Sequence, residues 1–263
     1  MFKETKSKIA LMLLVLFTFG TVLSAQKITG LKIIENVYNR PSSVDQTADL
    51  TMSLINSRGD KRVREIKQFL KDSDGMEKKI MFFVAPADVY NTSFMNWSYD
   101  KAGKNDDQWI YLPALKRVKR ISSDSKSDYF MGSDFTYDDL GDRQPLEDTH
   151  TLLREETLDG QETYVVESIP KDEEYMYSRT VTWIVKDSWI GLKKEFYDED
   201  EDLLKILTVN EQLESAGVII LTNVKMTNVQ SGQSTVMSFS NVEVNTGLAD
   251  NTFTERIMRR GIR

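Results

Sequence analysis

Residues 108–140 read QWIYLPALKRVKRISSDSKSDYFMGSDFTYDDL and combine three kinds of side chain in one short segment. Trp109 and Tyr111 fall on the same side of an extended chain, because side chains alternate between the two faces of a strand. After Pro113 comes a basic stripe, and then a loop that mixes aromatic residues with aspartates. The stripe consists of Lys116, Arg117, Lys119 and Arg120. The segment carries no catalytic motif, and it predicts a surface that receives an apolar ligand with a polar end.

The N-terminus has the pattern of a secretory signal peptide. Three lysines precede the apolar run Ile9–Leu23, and Ser24 and Ala25 offer small residues for cleavage. The run is shorter than the roughly twenty residues of a membrane-spanning helix, although an uncleaved anchor stays open as the alternative. We therefore predict a signal peptide over residues 1–25 and a single exported domain over residues 26–263.

Charge and cysteine content narrow the class of protein. Removal of residues 1–25 takes away three lysines and one glutamate and moves the formal net charge from −7 to −9. An acidic chain does not match the basic footprint that nucleic acids require. The chain has no cysteine, so it offers no residue for lipid attachment at a cysteine and cannot form a disulfide. Its stability therefore has to come from the core.

Apolar periodicity predicts one long helix near the start of the mature chain. Within residues 29–39, Leu31, Ile34 and Tyr38 fall on one helical stripe, and Pro41 ends the pattern. A short helical tail is predicted over residues 251–260, where Phe253 and Ile257 are spaced by four.

Most of the remaining chain alternates with a period of two. Residues 50–54 alternate apolar and polar side chains, and residues 76–84 are apolar on both faces, which requires cover on both sides or a ligand on one. The second half is a series of short strands separated by turn signals, too closely spaced for parallel crossovers. We predict a mainly β protein with an antiparallel sheet of about ten or eleven strands, shaped as half a barrel with a plug.

Candidate catalytic groups are sparse. His150 is the one histidine, and no cysteine or G-x-S-x-G elbow accompanies it, so we expect a structural role for His150. Asp134 and Asp138 could support a metal-assisted hydrolase, which is a third and weakest hypothesis. The acidic run at residues 198–202 is typical of a solvated hairpin tip. We predict no enzyme activity, no metal and no cofactor.

Two quoted motifs carry a resemblance to a known family. WIYLPALKRVKRI at residues 109–121, followed by FMGSDFTYDDL at residues 130–140, resembles the bacterial outer-membrane lipoprotein-sorting proteins of the LolA-like superfamily, in the branch often encoded beside RND-type exporters. Three further segments are similar to the family: PADVYNTSFM, WIVKDSWIGLKKEFYDEDEDLLK and FTERIMRRG. The resemblance implies a periplasmic protein with an unclosed antiparallel β-barrel of LolA/LolB type. It also implies a helical lid and a hydrophobic cavity for acyl chains.

Two functional hypotheses follow. In the first, the protein is a monomeric periplasmic carrier that passes lipoprotein or lipid acyl chains from an inner-membrane transporter of RND or ABC type towards an outer-membrane acceptor. The head group, or the partner, would contact the basic stripe Lys116–Arg120. In the second, the protein carries nothing and docks on an exporter through the same stripe. For the carrier, the predicted acyl-cavity residues are Met52, Leu54, Phe82, Trp97, Trp109, Tyr111, Phe130 and Phe135.

Overall fold

One antiparallel sheet contains every strand of the structure. The structure is a computed structural model that describes residues 27–73, 75–101 and 103–262, so the predicted signal peptide lies outside the described residues. The helices are α1 (Gly30–Tyr38) and α2 (Glu255–Arg260). The strands are β1 (Asp45–Ile55), β2 (Lys61–Ser73), β3 (Met76–Ala85), β4 (Ser93–Tyr99), β5 (Asp107–Leu112), β6 (Arg117–Arg120), β7 (Asp148–Leu158), β8 (Gln161–Pro170), β9 (Arg179–Val185), β10 (Gly191–Tyr197), β11 (Leu203–Ser215), β12 (Val218–Asn228) and β13 (Gln233–Val244).

The sheet is built from two meanders that meet at its centre. Its strand order is β6-β5-β4-β3-β2-β1-β13-β12-β11-β10-β9-β8-β7, and the two meanders join where β1 pairs with β13. In the part of the chain that the structure describes, β6 and β7 form the two edges, so the barrel is unclosed. The predicted fold class is therefore confirmed.

The sheet has thirteen strands, which is more than the ten or eleven expected. The two edge strands account for the difference. β6 is only four residues long and mostly basic. β7 reads DTHTLLREETL, in which most side chains are polar or charged and exposed. An edge strand buries less surface than a central one, so it lacks the strong apolar alternation from which strands are predicted.

The two faces of the sheet are covered by different parts of the chain. We call the face that contacts α1 and the segment 121–147 the inner face, and the face that contacts α2 the outer face. The inner core includes Leu50 and Met52 of β1, which alternate with polar residues as predicted, together with Phe83, Phe94 and Phe130. Because both faces carry a buried apolar cluster, β3 is apolar on both sides.

Helix α1 has the predicted position and ends. Thr29 is its N-cap, and the Thr29 hydroxyl oxygen accepts a hydrogen bond from the backbone N–H of Lys32 at 3.2 Å. Ile33 is completely buried between the helix and β8 and β9, where it meets Val166 and Ile184. Helix α1 therefore lies over the β7–β9 end of the inner face, as a lid does.

The C-terminal helix closes the outer face instead. Phe253 and Ile257 pack with Ile80 and Phe82 of β3, and the Ser93 hydroxyl donates a hydrogen bond to the carbonyl oxygen of Met258 at 3.1 Å. The helix is shorter than the predicted residues 251–260, because residues 250–252 form a single 3-10 turn before it begins.

Candidate functional site

A cavity of about 780 Å³ lies on the inner face, between α1, the segment 121–147 and strands β9–β12. This volume is within the range of about 300–1,000 Å³ that is usual for small-molecule sites. Its apolar wall comes from α1 and from alternate residues of the strands: Ile34, Val37, Ile184, Phe196, Leu207, Val218, Ile220 and Met226. Its polar wall comes from the chain that follows α1, from the segment 121–147 and from the strand ends nearby.

The segment 121–147 covers the inner face of β3–β5 and forms one side of the cavity. The Gln108 side-chain amide donates to the carbonyl oxygen of Tyr137 at 2.8 Å, and the Lys79 ammonium donates to that of Leu140 at 3.2 Å. Gly141 passes so close to Asp106 that a Cβ at position 141 would overlap the Asp106 carboxylate. These contacts hold the segment on the sheet, so the inner face of β3–β5 is filled by the protein's own chain.

Phe130 anchors the segment 121–147 in the inner core. Its side chain is completely buried, and its ring centroid lies 5.1 Å from that of Phe94 and 5.5 Å from that of Tyr137. Met131, the next residue, adopts a left-handed backbone conformation with φ of 50°. Phe130, before this turn, lies in the inner core, and Phe135, after it, lines the cavity.

Three aspartates of this segment are bound by the chain's own donors. Asp139 lies 2.6 Å from the Lys205 ammonium and also accepts a hydrogen bond from Tyr177 at 3.0 Å. Asp134 accepts from the Thr235 hydroxyl at 2.7 Å, and Asp138 accepts from the Tyr175 hydroxyl. Among the residues that the structure describes, no group of three or more histidine and acidic side chains is arranged to hold a metal ion.

Tyr175 and Tyr177 give the polar wall a set of neutral hydroxyls. Burial, reinforced by the aspartates beside them, raises the pKa of both phenols far above its usual value. Arg143 stacks on the Tyr175 ring at 3.8 Å, and its Nε donates to Asp148 at 2.8 Å. This wall is therefore a tight network of paired groups rather than an open charged surface.

His150 is part of this network. Its Nδ1 lies 2.7 Å from the Ser168 hydroxyl oxygen, and its Nε2 lies 2.7 Å from the carbonyl oxygen of Pro145. Both ring nitrogens therefore have partners within the fold, which places His150 in a structural role.

The eight predicted acyl-cavity residues do not share one cavity. Phe135 lines it, whereas Met52 and Phe130 are buried in the inner core and Leu54 packs against that core. The other four lie on the outer face, in the cluster beneath α2: Phe82, Trp97, Trp109 and Tyr111. Strand parity explains this placement, because Phe82 lies on the opposite face of β3 from Met81 and Phe83, which belong to the inner core.

The basic stripe is exposed, as a docking surface would be. Lys116, Arg117, Lys119 and Arg120 are all exposed, and β6 carries the last three along one edge of the sheet. Arg120 pairs with Asp107 of the adjacent strand. The stripe lies outside the residues that line the cavity, so its contact with a head group or a partner stays a prediction.

Lys194 and Leu207 are cavity residues that sequence reasoning missed. In β10, which reads GLKKEFY, Lys194 shares a face with Phe196, and it pairs across the sheet with Leu207 of β11. A single inward lysine in a strand of mixed charge resembles an ordinary solvent-facing residue. Its position two residues before a buried phenylalanine is the one signal that could have identified it.

Among residues 27–73, 75–101 and 103–262, we find no helix with the length and apolar character needed to cross a membrane.

Comparison with known proteins shows which family the chain resembles. A protein-family model with the description "Uncharacterized protein" matches residues 75–260. A crystal structure from Vibrio parahaemolyticus, described as an outer membrane lipoprotein-sorting protein domain, is 36% identical and has a TM-score of 0.83; the alignment covers 88% of this chain and 98% of that one. The chain belongs to the LolA-like outer-membrane lipoprotein-sorting family.

Two further solved structures agree with this assignment. A DUF1329 family protein from Desulfovibrio piger is 32% identical, with a TM-score of 0.82 over 87% of this chain and 97% of that one. A LolA superfamily protein from Nitrosomonas europaea is 19% identical, with a TM-score of 0.67 over 88% of this chain and 99% of that one, which shows the LolA fold. No curated protein matches the chain. The resemblance inferred from residues 109–140 is thereby confirmed for the LolA-like lipoprotein-sorting family.

Proposed function

We propose that this LolA-like protein binds the acyl chain of a lipoprotein or lipid in its inner-face cavity and carries it through the periplasm towards the outer membrane. The observation that carries the proposal is the cavity of about 780 Å³ between α1 and the apolar inner face of β9–β12. The match to a lipoprotein-sorting domain from Vibrio parahaemolyticus supports the class of ligand.

The physical need for such a cavity is large. Exposure of an acyl chain to water costs about 0.8 kcal/mol per methylene, so ten methylenes cost about 8 kcal/mol. An apolar wall that includes Phe196, Ile220 and Met226 removes that surface from water. Transfer of the chain needs no covalent step, so the carrier works without a nucleophile or an acid–base pair.

Release of the chain has to involve an element that opens at modest cost. Helix α1 has nine residues, of which Gly30 and Ile33 are buried against the sheet, while Ile34 and Val37 line the cavity. The inner segment 121–147, by contrast, is fixed by buried side chains and an ion pair. We propose that α1 is the part that moves when the cavity loads or empties.

The test is organic extraction of the natively purified, periplasmically expressed protein, followed by mass spectrometry of the extract. We expect a lipid or an acylated peptide in stoichiometric amount. A clean extract, also after incubation with membranes that contain lipoproteins, would contradict the carrier function. Detection of the mature N-terminus near Gln26 in the same preparation would test the predicted signal peptide.

The docking module remains the second candidate, because four basic side chains are exposed at one edge of the sheet. In that case the partner would be an inner-membrane exporter of RND or ABC type. Charge reversal at Arg117 and Lys119 would then abolish copurification of the exporter. Reversal of the charge at Lys61 and Arg62, which are exposed at the start of β2, is the matched control.

A further inference from the structure

The charged groups on the cavity wall differ in whether the protein itself supplies them with a hydrogen-bond or ion-pair partner. The carboxylates that act electrostatically on Lys194 are those of Asp139, Asp148 and Asp138. Each already has a donor from the chain: Lys205 for Asp139, Arg143 for Asp148 and Tyr175 for Asp138. These three carboxylates therefore already have partners within the fold.

Lys194 is not compensated in this way. Its side chain lies on the inner face of β10, between Thr182 of β9 and Leu207 of β11, and all three residues line the cavity. It forms no hydrogen bond or ion pair with any residue that the structure describes, and its ammonium lies 5.0 Å from the centre of the Phe196 ring. Burial lowers the pKa of Lys194. Lys194 is half-buried, so its unpaired charge is partly desolvated at some cost, and a ligand of opposite charge would offset that cost.

Arg40 adds a second cationic group from the other side of the cavity. It follows α1 in the chain and lines the same cavity as Lys194. Its Nε atom is buried and has no hydrogen-bond partner among the described residues. Two cationic side chains, one from β10 and one from the end of α1, thus have unused donors at the cavity.

We infer that the cavity takes an acidic amphiphile, whose carboxylate or phosphate pairs with Lys194 while its acyl chain lies against the apolar wall. This inference rests on the proposed function and adds the charge of the ligand to it. Arg40 is a second cation on the lining of the same cavity.

The test compares cis-parinaric acid with its methyl ester, two fluorescent ligands that share an acyl chain and differ in charge. The wild-type protein is expected to bind the acid at least about tenfold more tightly than the ester, as a hydrogen bond to a charged group predicts. In Lys194→Met most of the preference for the acid is lost, with the ester bound as in the wild type. Lys194→Arg, which keeps the charge, restores part of the preference.

The matched control is Lys193→Met. Lys193 is the adjacent residue on the other face of β10, where it pairs with Glu195 at 2.7 Å, so its loss leaves the preference for the acid unchanged. Equal affinity of the wild type for acid and ester would overturn the inference while the carrier function stands. Binding of neither ligand would overturn both. Inorganic phosphate that binds as tightly as the acid would reveal a site for a free anion and overturn the amphiphile.

Discussion

The Lys205 ammonium lies 2.6 Å from the Asp139 carboxylate, and both side chains are almost fully excluded from solvent. The same ammonium also donates to the carbonyl oxygen of Asp134 at 3.2 Å. Since Asp134 and Asp139 belong to the inner segment and Lys205 belongs to β11, this pair fastens the segment to the half of the sheet that forms the cavity. The shape of the cavity therefore depends on an ion pair between residues 66 positions apart.

Loss of one member of this pair should destabilise the protein strongly. In Lys205→Met the Asp139 carboxylate stays buried without its cation, and we expect a loss of about 3–5 kcal/mol in the free energy of unfolding. The measurement is urea denaturation followed by tryptophan fluorescence. The double variant with Asp139→Asn should recover part of the loss, because no unpaired charge remains.

The control is Arg259→Ala, which breaks the exposed pair with Glu255 and should cost about 1 kcal/mol or less. If Lys205→Met also cost only about 1 kcal/mol or less, the ion pair between Lys205 and Asp139 would not be what holds the inner segment on the sheet.

The sequence predicts the elements of this fold better than the faces of its sheet. Residues 29–39 form the expected helix because one apolar stripe and a Thr29 cap agree with each other. The alternation at Leu50, Met52 and Leu54 likewise predicts a strand with one buried face. The parity of β5 shows that Trp109 and Tyr111 share a face. It does not show which face, since α2 buries the outer face as fully as the inner segment buries the other.

The site was harder to predict because its parts come from distant segments. Lys194 and Leu207 are neighbours on β10 and β11, whereas Arg40 comes from the chain after α1, so the three line one cavity only in the folded protein. The aromatic residues around Trp109 attract attention in the sequence, yet they form the support for α2. Phe135 is the one predicted cavity residue that lines the cavity, since the segment turns back there after Phe130.

Gly30 should be essential for the position of α1. A Cβ at position 30 would lie 2.6 Å from the carbonyl oxygen of His150 in β7, closer than any such contact tolerates. We therefore expect Gly30→Ala to push the helix away from the sheet and to speed hydrogen exchange of the α1 amides, although alanine favours helix formation. Lys32→Ala, at an exposed position of the same helix, should change stability by less than about 0.5 kcal/mol. Unchanged exchange in Gly30→Ala would show that the helix does not depend on this close approach.

Asp45 should make stability depend on pH in the acid range. Its side chain is buried, which opposes the charge, but four hydrogen bonds from residues 246–248 outweigh burial and hold the pKa of Asp45 below its usual value. Because the pKa is lower in the folded state, the carboxylate stabilises the fold above the unfolded pKa of about 3.9. That contribution is lost as the pH falls from there through the folded pKa.

Replacement of Asp45 tests the sign of this effect. Asp45→Asn should lower the free energy of unfolding at pH 7 by about 1–3 kcal/mol, because charge-assisted hydrogen bonds are lost. Its stability should also fall less steeply than that of the wild type between pH 5 and pH 2 (roughly the range in which Asp45 titrates). Asp200→Asn, at an exposed hairpin tip, should leave both the stability and the slope unchanged. If the free energy of unfolding fell with the same slope in Asp45→Asn and in the wild type, Asp45 would not be the source of the acid dependence.

The two faces of β11 offer a direct test of where the ligand lies. Leu207 lines the inner cavity, and Ile206 is its neighbour on the outer face of the same strand. We expect Leu207→Trp to fill part of the cavity and to reduce the lipid that copurifies with the protein several-fold. Ile206→Trp adds a similar volume outside the cavity, so its lipid content should equal that of the wild type. The measurement is the molar ratio of extracted lipid to protein, with circular dichroism to establish that both variants are folded. An equal loss in both variants would point to a general effect on the strand, and a loss in Ile206→Trp alone would move the ligand to the outer face.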